Sequence, residues 1–163
     1  MADAKGSTAA STSVASDARA PDLDFVITRV VDAPRAQVFK AWTDPEHVAK
    51  WWGPNGFTNT IHEMDVRPGG VWRFIMHGPD GRDFKNKVIY LEVVKPERLV
   101  YDHVSGPTFH VTVTFAEEGK KTRLTMRMLF ETAALREQTV KEFGAVEGLN
   151  QTLGRLEAHL ARI

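Results

Sequence analysis

Apolar and polar residues alternate in short runs between residues 57 and 130, a pattern typical of β-strands with one buried face. The alternation is clearest at residues 72–77, 109–115 and 123–130. Turns rich in glycine and proline separate the runs, so that six antiparallel strands fit between them. Residues 24–31 are rich in β-branched side chains and predict one more strand. The apolar face of such a sheet has to be covered by another layer.

Two short helices are predicted between the first strand and the second. Pro34 suits the first turn of a helix, because its missing N–H is not needed there. The apolar face of that helix is formed by Val38, Phe39 and Trp42. Thr43 and Glu46 have the spacing of a capping box and predict the start of the second helix, which must end by Gly53.

The segment from about Thr132 to Ala161 contains no proline and predicts one long helix, with Thr132 as its N-cap. Its apolar stripe, at spacings of three and four, consists of Phe143, Val146, Leu149, Leu153, Leu156 and Leu160. We expect this stripe to cover the sheet. Gly144 and Gly148 interrupt the helix; they either allow close packing or a kink, or make room for a molecule in a cavity.

Length and composition favour a single globular domain. The chain has 163 residues, which we divide into a disordered tail at residues 1–22 and one domain at residues 23–163. The formal net charge is zero, which disfavours nucleic acid and anionic membranes as partners. There is no cysteine, no apolar run long enough to span a bilayer, and no signal peptide in the tail. A cytoplasmic location is therefore predicted.

Several motifs in a fixed order resemble a known superfamily. They are Ala33-Pro34 followed by Val38-Phe39, Trp51-Trp52-Gly53-Pro54, residues 65–70, Gly78-Pro79-Asp80-Gly81, residues 96–100, and residues 147–153 with Arg155-Leu156. The set resembles the START-like superfamily, also called SRPBCC or helix-grip. Within it, the chain is similar to the family named after the activator of heat-shock protein 90 ATPase. The resemblance covers residues 23–163.

The resemblance implies an α+β fold of the helix-grip type. A curved seven-stranded antiparallel sheet would wrap around the long C-terminal helix, with two short helices between strands 1 and 2. The superfamily includes lipid and hormone carriers, polyketide cyclases, dehydratase-like enzymes and co-chaperone domains, so the fold alone does not select a function.

A gap between a curved sheet and a long helix is a natural pocket for an apolar ligand. The residues expected to face it are Trp52, His62, Met64, Trp72, Phe74, Met76, Tyr90, Tyr101, His103, Phe109, Val111, Met126, Phe143 and Val146. Each aromatic or methionine side chain in this set is also a normal core residue. No spacing typical of a metal site, a nucleophile elbow or a phosphate loop is present, so no metal, cofactor or catalytic residue is predicted.

The sequence is compatible with three hypotheses about function. The first is non-catalytic binding of a small hydrophobic molecule between the sheet and the C-terminal helix. The second is a chaperone-linked interaction domain, with a chaperone or a second copy of the chain as partner. The third is a cyclase- or dehydratase-like enzyme, which requires at least two of Tyr90, Tyr101, His62 and His103 to converge in one cavity.

Overall fold

The computed structural model of the protein describes residues 23–142 and 144–163, and in these ranges the chain forms seven strands and four helices. The strands are β1 (Asp24–Val31), β2 (Thr58–Met64), β3 (Val71–His77), β4 (Asp83–Val94), β5 (Arg98–His103), β6 (Phe109–Glu118) and β7 (Lys121–Leu129). The helices are α1 (Arg35–Thr43), α2 (Pro45–Trp51), α3 (Ala133–Glu142) and α4 (Ala145–Arg162). The tail predicted at residues 1–22 lies outside the described residues, and so does Phe143.

The seven strands form one open antiparallel sheet in the order β1-β7-β6-β5-β4-β3-β2. Consecutive strands from β2 to β7 are neighbours, as expected for a meander joined by short turns. Strand β1 closes the other edge by pairing with β7, where Asp24 lies opposite Leu129. This confirms the predicted α+β architecture, with two short helices between β1 and β2.

One face of the sheet carries the core. Alternate residues of each strand are buried there because successive side chains of a strand point to opposite faces. In β6 these are Val111, Val113 and Phe115, and in β7 they are Leu124, Met126 and Met128. The helices bury Val38, Phe39, Trp42, Val48, Trp51, Leu153 and Leu156 in the same core cluster.

The prediction of one continuous C-terminal helix is wrong. Gly144 has φ 59° and ψ 41°, a left-handed conformation that interrupts the helical hydrogen bonds and separates α3 from α4. A glycine adopts this conformation without the steric cost that a Cβ atom imposes. The predicted N-cap is confirmed, because Thr132 Oγ1 accepts a hydrogen bond from the Leu135 N–H at 3.0 Å.

The start of α2 also differs from the prediction. Asp44, and not Thr43, is the N-cap, since its carboxylate accepts the Glu46 N–H at 2.9 Å. Thr43 is the last residue of α1 and donates its hydroxyl to the Phe39 carbonyl oxygen at 2.9 Å. The following Pro45 occupies the first helical position, so the cap and the proline act together and no capping box forms.

A pair of histidines joins α2 to α4. His47 Nδ1 and His159 Nε2 are 2.8 Å apart, and the two rings are packed edge to face. His159 is buried, and burial lowers its pKa, assisted by the charges of His47, Lys50 and Arg162. A hydrogen bond between two imidazoles needs one unprotonated nitrogen, so it cannot persist when both rings are cationic.

We therefore expect the free energy of unfolding to fall as the pH is lowered through 6.5, the ordinary pKa of histidine. The unfolded chain takes up the His159 proton first, so acidification favours unfolding until the folded protein is protonated too. Denaturant titrations between about pH 7.5 and about pH 5.5 measure this slope. The slope should be shallower in His159→Gln and unchanged in His62→Gln, which alters an exposed histidine. Equal slopes in both variants would contradict the assignment.

Candidate functional site

A recess of about 210 Å³ lies between the core face of the sheet, the segment after α2 and the first turns of α4. Strands β3 and β4 contribute Phe74, Met76, Asn86 and Val88. Strands β5 and β6 contribute Tyr101, His103 and Phe109. The segment after α2 contributes Trp52, Gly53 and Pro54, and the α4 side contributes Gly144, Ala145, Gly148, Leu149 and Thr152. Most of these side chains are apolar.

Aromatic rings support one wall of the recess. Trp52 packs edge to face on Trp72 with ring centroids 5.1 Å apart, and Trp72 stacks on Phe74 at 4.3 Å. Behind them, Trp51 contacts Trp52 at 5.3 Å and Trp42 at 5.1 Å, both edge to face. Such geometries are the favoured ones for aromatic pairs and fix the rings in place. The wall is therefore preorganised.

Arg155 on α4 holds the segment that carries Trp52. Its Nη1 donates to the carbonyl oxygens of Trp52, Gly53 and Pro54 at 3.2, 2.9 and 3.0 Å. Its Nη2 donates to the carbonyl oxygen of Lys50 at 3.2 Å. A guanidinium group suits this role because it presents several N–H donors in one plane. The contact ties the loop after α2 to the helix on the other side of the recess.

His103 provides a polar part of the wall. Its Nδ1 lies 2.8 Å from the Pro107 carbonyl oxygen, and its Nε2 lies 2.7 Å from Asn86 Oδ1. The ring stacks on Phe109, with centroids 4.6 Å apart and an interplanar angle of 5°. Burial lowers the pKa of His103, while backbone hydrogen bonds with Pro107 and Ser105 act in the opposite direction. The ring is therefore fixed in position on three sides.

Tyr101 is the second titratable residue that lines the recess. Its side chain is buried, and burial raises the pKa of the phenol well above its ordinary value of 10.0. The group is thus a neutral hydroxyl at physiological pH. Tyr90, whose ring centroid is 6.0 Å from that of Tyr101, lies in the core and does not line the recess.

The structure brings part of the predicted set together. The residues that line the recess are Trp52, Phe74, Met76, Tyr101, His103 and Phe109. The residues that belong to the core or pack against it, without lining the recess, are Met64, Trp72, Tyr90, Val111 and Met126. Since Tyr101 and His103 converge, the geometric condition set for the enzyme hypothesis is met by that pair. Catalysis stays one of the three hypotheses, and no residue is assigned a catalytic role.

Two further residues of the predicted set, His62 and Val146, neither line the recess nor pack in the core. His62 is exposed because it follows the inward residue Ile61 in the strand, and the register shift between Ile61 and Glu63 then brings Met64 to the inner face. Ile61 and Met64 both pack against the core as a result. Val146 is 42% exposed. It lies in the first turn of α4, directly after the break at Gly144, where Ala145 lines the recess instead.

Some lining residues were missing from the predicted set. Asn86 alternates with Val88 and Tyr90 along β4, so strand periodicity could have placed it on the inner face despite its polarity. Leu149 and Thr152 lie on α4, and their contribution depends on where that helix begins. The signal for that start was Gly144, but helix propensity alone does not show whether a glycine breaks a helix.

The described part of the chain places no three His, Asp or Glu residues in positions to hold a metal ion together. Within residues 23–142 and 144–163, no single helix is both long enough and apolar enough to cross a membrane.

An open seven-stranded antiparallel sheet, two short helices after the first strand and a C-terminal helix over its core face define a helix-grip, START-like protein. The sequence profile of the family described as Activator of Hsp90 ATPase homolog 1-like protein matches residues 32–161. The chain therefore belongs to this family, which confirms the resemblance seen in the sequence. A search of curated proteins finds no match.

Several solved structures are similar to the whole domain. A protein from Nitrosomonas europaea is 27% identical, with a TM-score of 0.78 over 90% of this chain and 97% of that one. A protein from Arthrobacter aurescens, solved by NMR, is 26% identical, with a TM-score of 0.81 over 93% and 94% of the two chains. The AHSA1 protein from Silicibacter pomeroyi is 20% identical, with a TM-score of 0.69 over 85% and 97%, and supports the fold alone.

Proposed function

We propose that the chain binds a small apolar molecule in the recess between the sheet and helix α4. The observation that supports this proposal is a recess of about 210 Å³ whose walls are mainly apolar and aromatic. Ligand pockets typically combine apolar walls with a few fixed polar groups, and here Asn86, Tyr101 and His103 are such groups.

The size of the recess limits the ligand. Pockets for drug-sized molecules have volumes of about 300–1,000 Å³, so this recess suits a medium-length aliphatic chain or a molecule of one or two rings. Each buried methylene group contributes about 0.8 kcal/mol to binding. A wall fixed by Arg155 and by the tryptophan cluster loses little entropy on binding, because its side chains are already ordered.

Gly148→Leu is expected to block this site. A Cβ atom added at Gly148 meets Pro54 Cγ at 3.5 Å, an ordinary van der Waals contact, so the helix accepts the substitution. Gly148 lines the recess, and the remaining leucine carbons occupy space that a ligand would take. Replacing a helical glycine also favours α4 by about 1 kcal/mol. We expect at least about a tenfold loss of affinity, corresponding to about 1.4 kcal/mol.

The measurement is the ligand-induced rise in melting temperature, with tryptophan fluorescence as a second readout because Trp52 lines the recess. Medium-chain alcohols, fatty acids, flavonoids and small polyketides form the panel. The matched control is Gly154→Leu on the same helix, at a position outside the recess whose added Cβ meets Arg29 Nη1 at 3.7 Å, an ordinary van der Waals distance. A panel without any shift, or full binding by Gly148→Leu, would reject the proposal.

A further inference from the structure

His103 is surrounded by more hydrogen-bond acceptors than a neutral imidazole can donate to. Both neighbours of the ring nitrogens are oxygen atoms, Pro107 O at 2.8 Å and Asn86 Oδ1 at 2.7 Å. A neutral imidazole has one N–H, whereas the imidazolium ion has two. With these partners, both contacts are hydrogen bonds only when His103 carries two protons.

Rotating the Asn86 amide does not remove this conflict. In the present orientation its Nδ2 donates to the Phe84 carbonyl oxygen at 2.9 Å. Exchanging the amide oxygen and nitrogen would give His103 Nε2 a donor, but it would bring Asn86 Oδ1 against the Phe84 carbonyl. With a neutral ring, each orientation of the Asn86 amide therefore leaves one unfavourable contact. In the present orientation two acceptors face each other at one nitrogen of His103, and in the exchanged orientation Asn86 Oδ1 faces the Phe84 carbonyl oxygen. Among the described residues, the Asn86 bonds leave one N–H of the amide for a ligand.

The described recess offers His103 no negative charge. From α4 it is lined by Ala145, Gly148, Leu149 and Thr152, none of which titrates. From β5 the titratable group is Tyr101, a neutral phenol. The charged side chains nearest in sequence to the lining residues do not line the recess themselves. Asp102 and His110 pair with each other at 2.7 Å, and Lys85 and Lys87 are exposed on β4.

We infer that the molecule bound in the recess is an apolar acid, whose carboxylate or phenolate lies against His103 and Asn86 and is taken up together with one proton on the imidazole. This inference rests on the proposed function and names the ligand class of the same site. The anion supplies the missing counter-charge and accepts the remaining Asn86 N–H. The protonated ring then donates to both Pro107 and Asn86, so every contact becomes favourable.

The test compares decanoate with 1-decanol, which share a chain of the same length and differ in the head group. Calorimetric titrations are made from pH 6 to pH 8, below the concentrations at which either compound aggregates. Decanoate stays ionised throughout, because carboxyl groups titrate near about pH 4–5. We expect decanoate to bind at least about tenfold more tightly at pH 6, and its affinity to fall by up to about tenfold per pH unit.

Decanoate binding should also take up about one proton, measured in buffers of different ionisation enthalpy, and decanol binding none. His103→Gln removes the titrating group, so the ratio of decanoate affinity to decanol affinity should approach one and no longer change with pH. His62→Gln, an exposed histidine outside the recess, is the matched control and should behave as wild type.

Asn86→Asp tests the same idea without removing the histidine. The new carboxylate would supply the counter-charge permanently, so decanoate should bind more weakly than decanol. Folding of each variant is checked by its melting temperature. If neither compound binds wild type, the inference is overturned, and the wider ligand panel then decides separately whether the proposed function stands. Equal binding of both at all pH values leaves the proposed function standing and overturns the acidic head group. A decanoate preference that survives in His103→Gln overturns the role of this residue.

Discussion

Trp51→Ala is expected to destabilise the protein by about 3–5 kcal/mol, the range measured when buried aromatic side chains are truncated. Trp51 has no exposed surface, and its ring packs edge to face on Trp42 at 5.1 Å and on Trp52 at 5.3 Å. Its indole N–H donates to the Ala41 carbonyl oxygen at 2.9 Å, which links α2 to α1. The truncation leaves a cavity and an unpaired carbonyl group in the centre of the core.

Urea denaturation monitored by circular dichroism measures this change. Trp51→Phe keeps an aromatic ring and loses the hydrogen bond, so it should lie between wild type and alanine. Since whole domains are stable by about 5–15 kcal/mol, the alanine variant should lose a large part of its stability. A loss under about 1 kcal/mol for Trp51→Ala would mean that the core relaxes around the cavity.

Gly70→Ala is expected to have an effect of similar size, about 3 kcal/mol or more, for a different reason. A Cβ atom at Gly70 would lie 1.9 Å from the Asp65 carbonyl oxygen and 3.0 Å from the Arg67 carbonyl oxygen. Both are backbone atoms and cannot rotate away. The turn is also held by hydrogen bonds, from the Gly70 N–H to Arg67 O at 2.8 Å and from the Tyr90 N–H to Gly70 O at 2.9 Å.

The adjacent Gly69 provides the control for this prediction. It has φ 83°, and no atom lies within 4 Å of an added Cβ. Gly69→Ala should therefore cost only the strain of a left-handed residue, about 1–2 kcal/mol. Thermal unfolding of the two variants, measured side by side, separates the steric clash from the conformational cost. Equal melting temperatures for the two proteins would show that the β2–β3 turn moves to accept the methyl group.

The alternation of side chains was enough to predict the sheet, because a two-residue period survives wherever one face is buried. The alternation predicted the wrong face where a register shift interrupts the two-residue period of the strand. His62 and Met64 were expected to share the inner face, but the register shift in β2 leaves only Met64 there, and no pattern in the sequence marks this bulge. The inner position of Asn86 was obscured by its polarity, although its hydrogen bond to His103 explains why a polar side chain is tolerated there.

The C-terminal helix shows a second limit of the sequence pattern. The apolar stripe continues through Gly144 without interruption, and a glycine costs a helix only about 1 kcal/mol, so either outcome was compatible with the sequence. The break decides which residues of α4 line the recess: Ala145 and Leu149 do, and Val146 does not. Predicting the recess in detail therefore requires the helix start, which depends on tertiary packing.

The pairing of β1 with β7 has a consequence for how the protein is made. Asp24 lies opposite Leu129, so the earliest of the seven described strands to be synthesised is paired with the latest of them. Until then Phe25, which is buried in the finished sheet, has no strand β7 to lie against. Contacts between such distant segments slow folding, because a long loop must close before they form. Nascent chains that end before residue 121 lack all of β7 and are therefore the ones most in need of protection from aggregation.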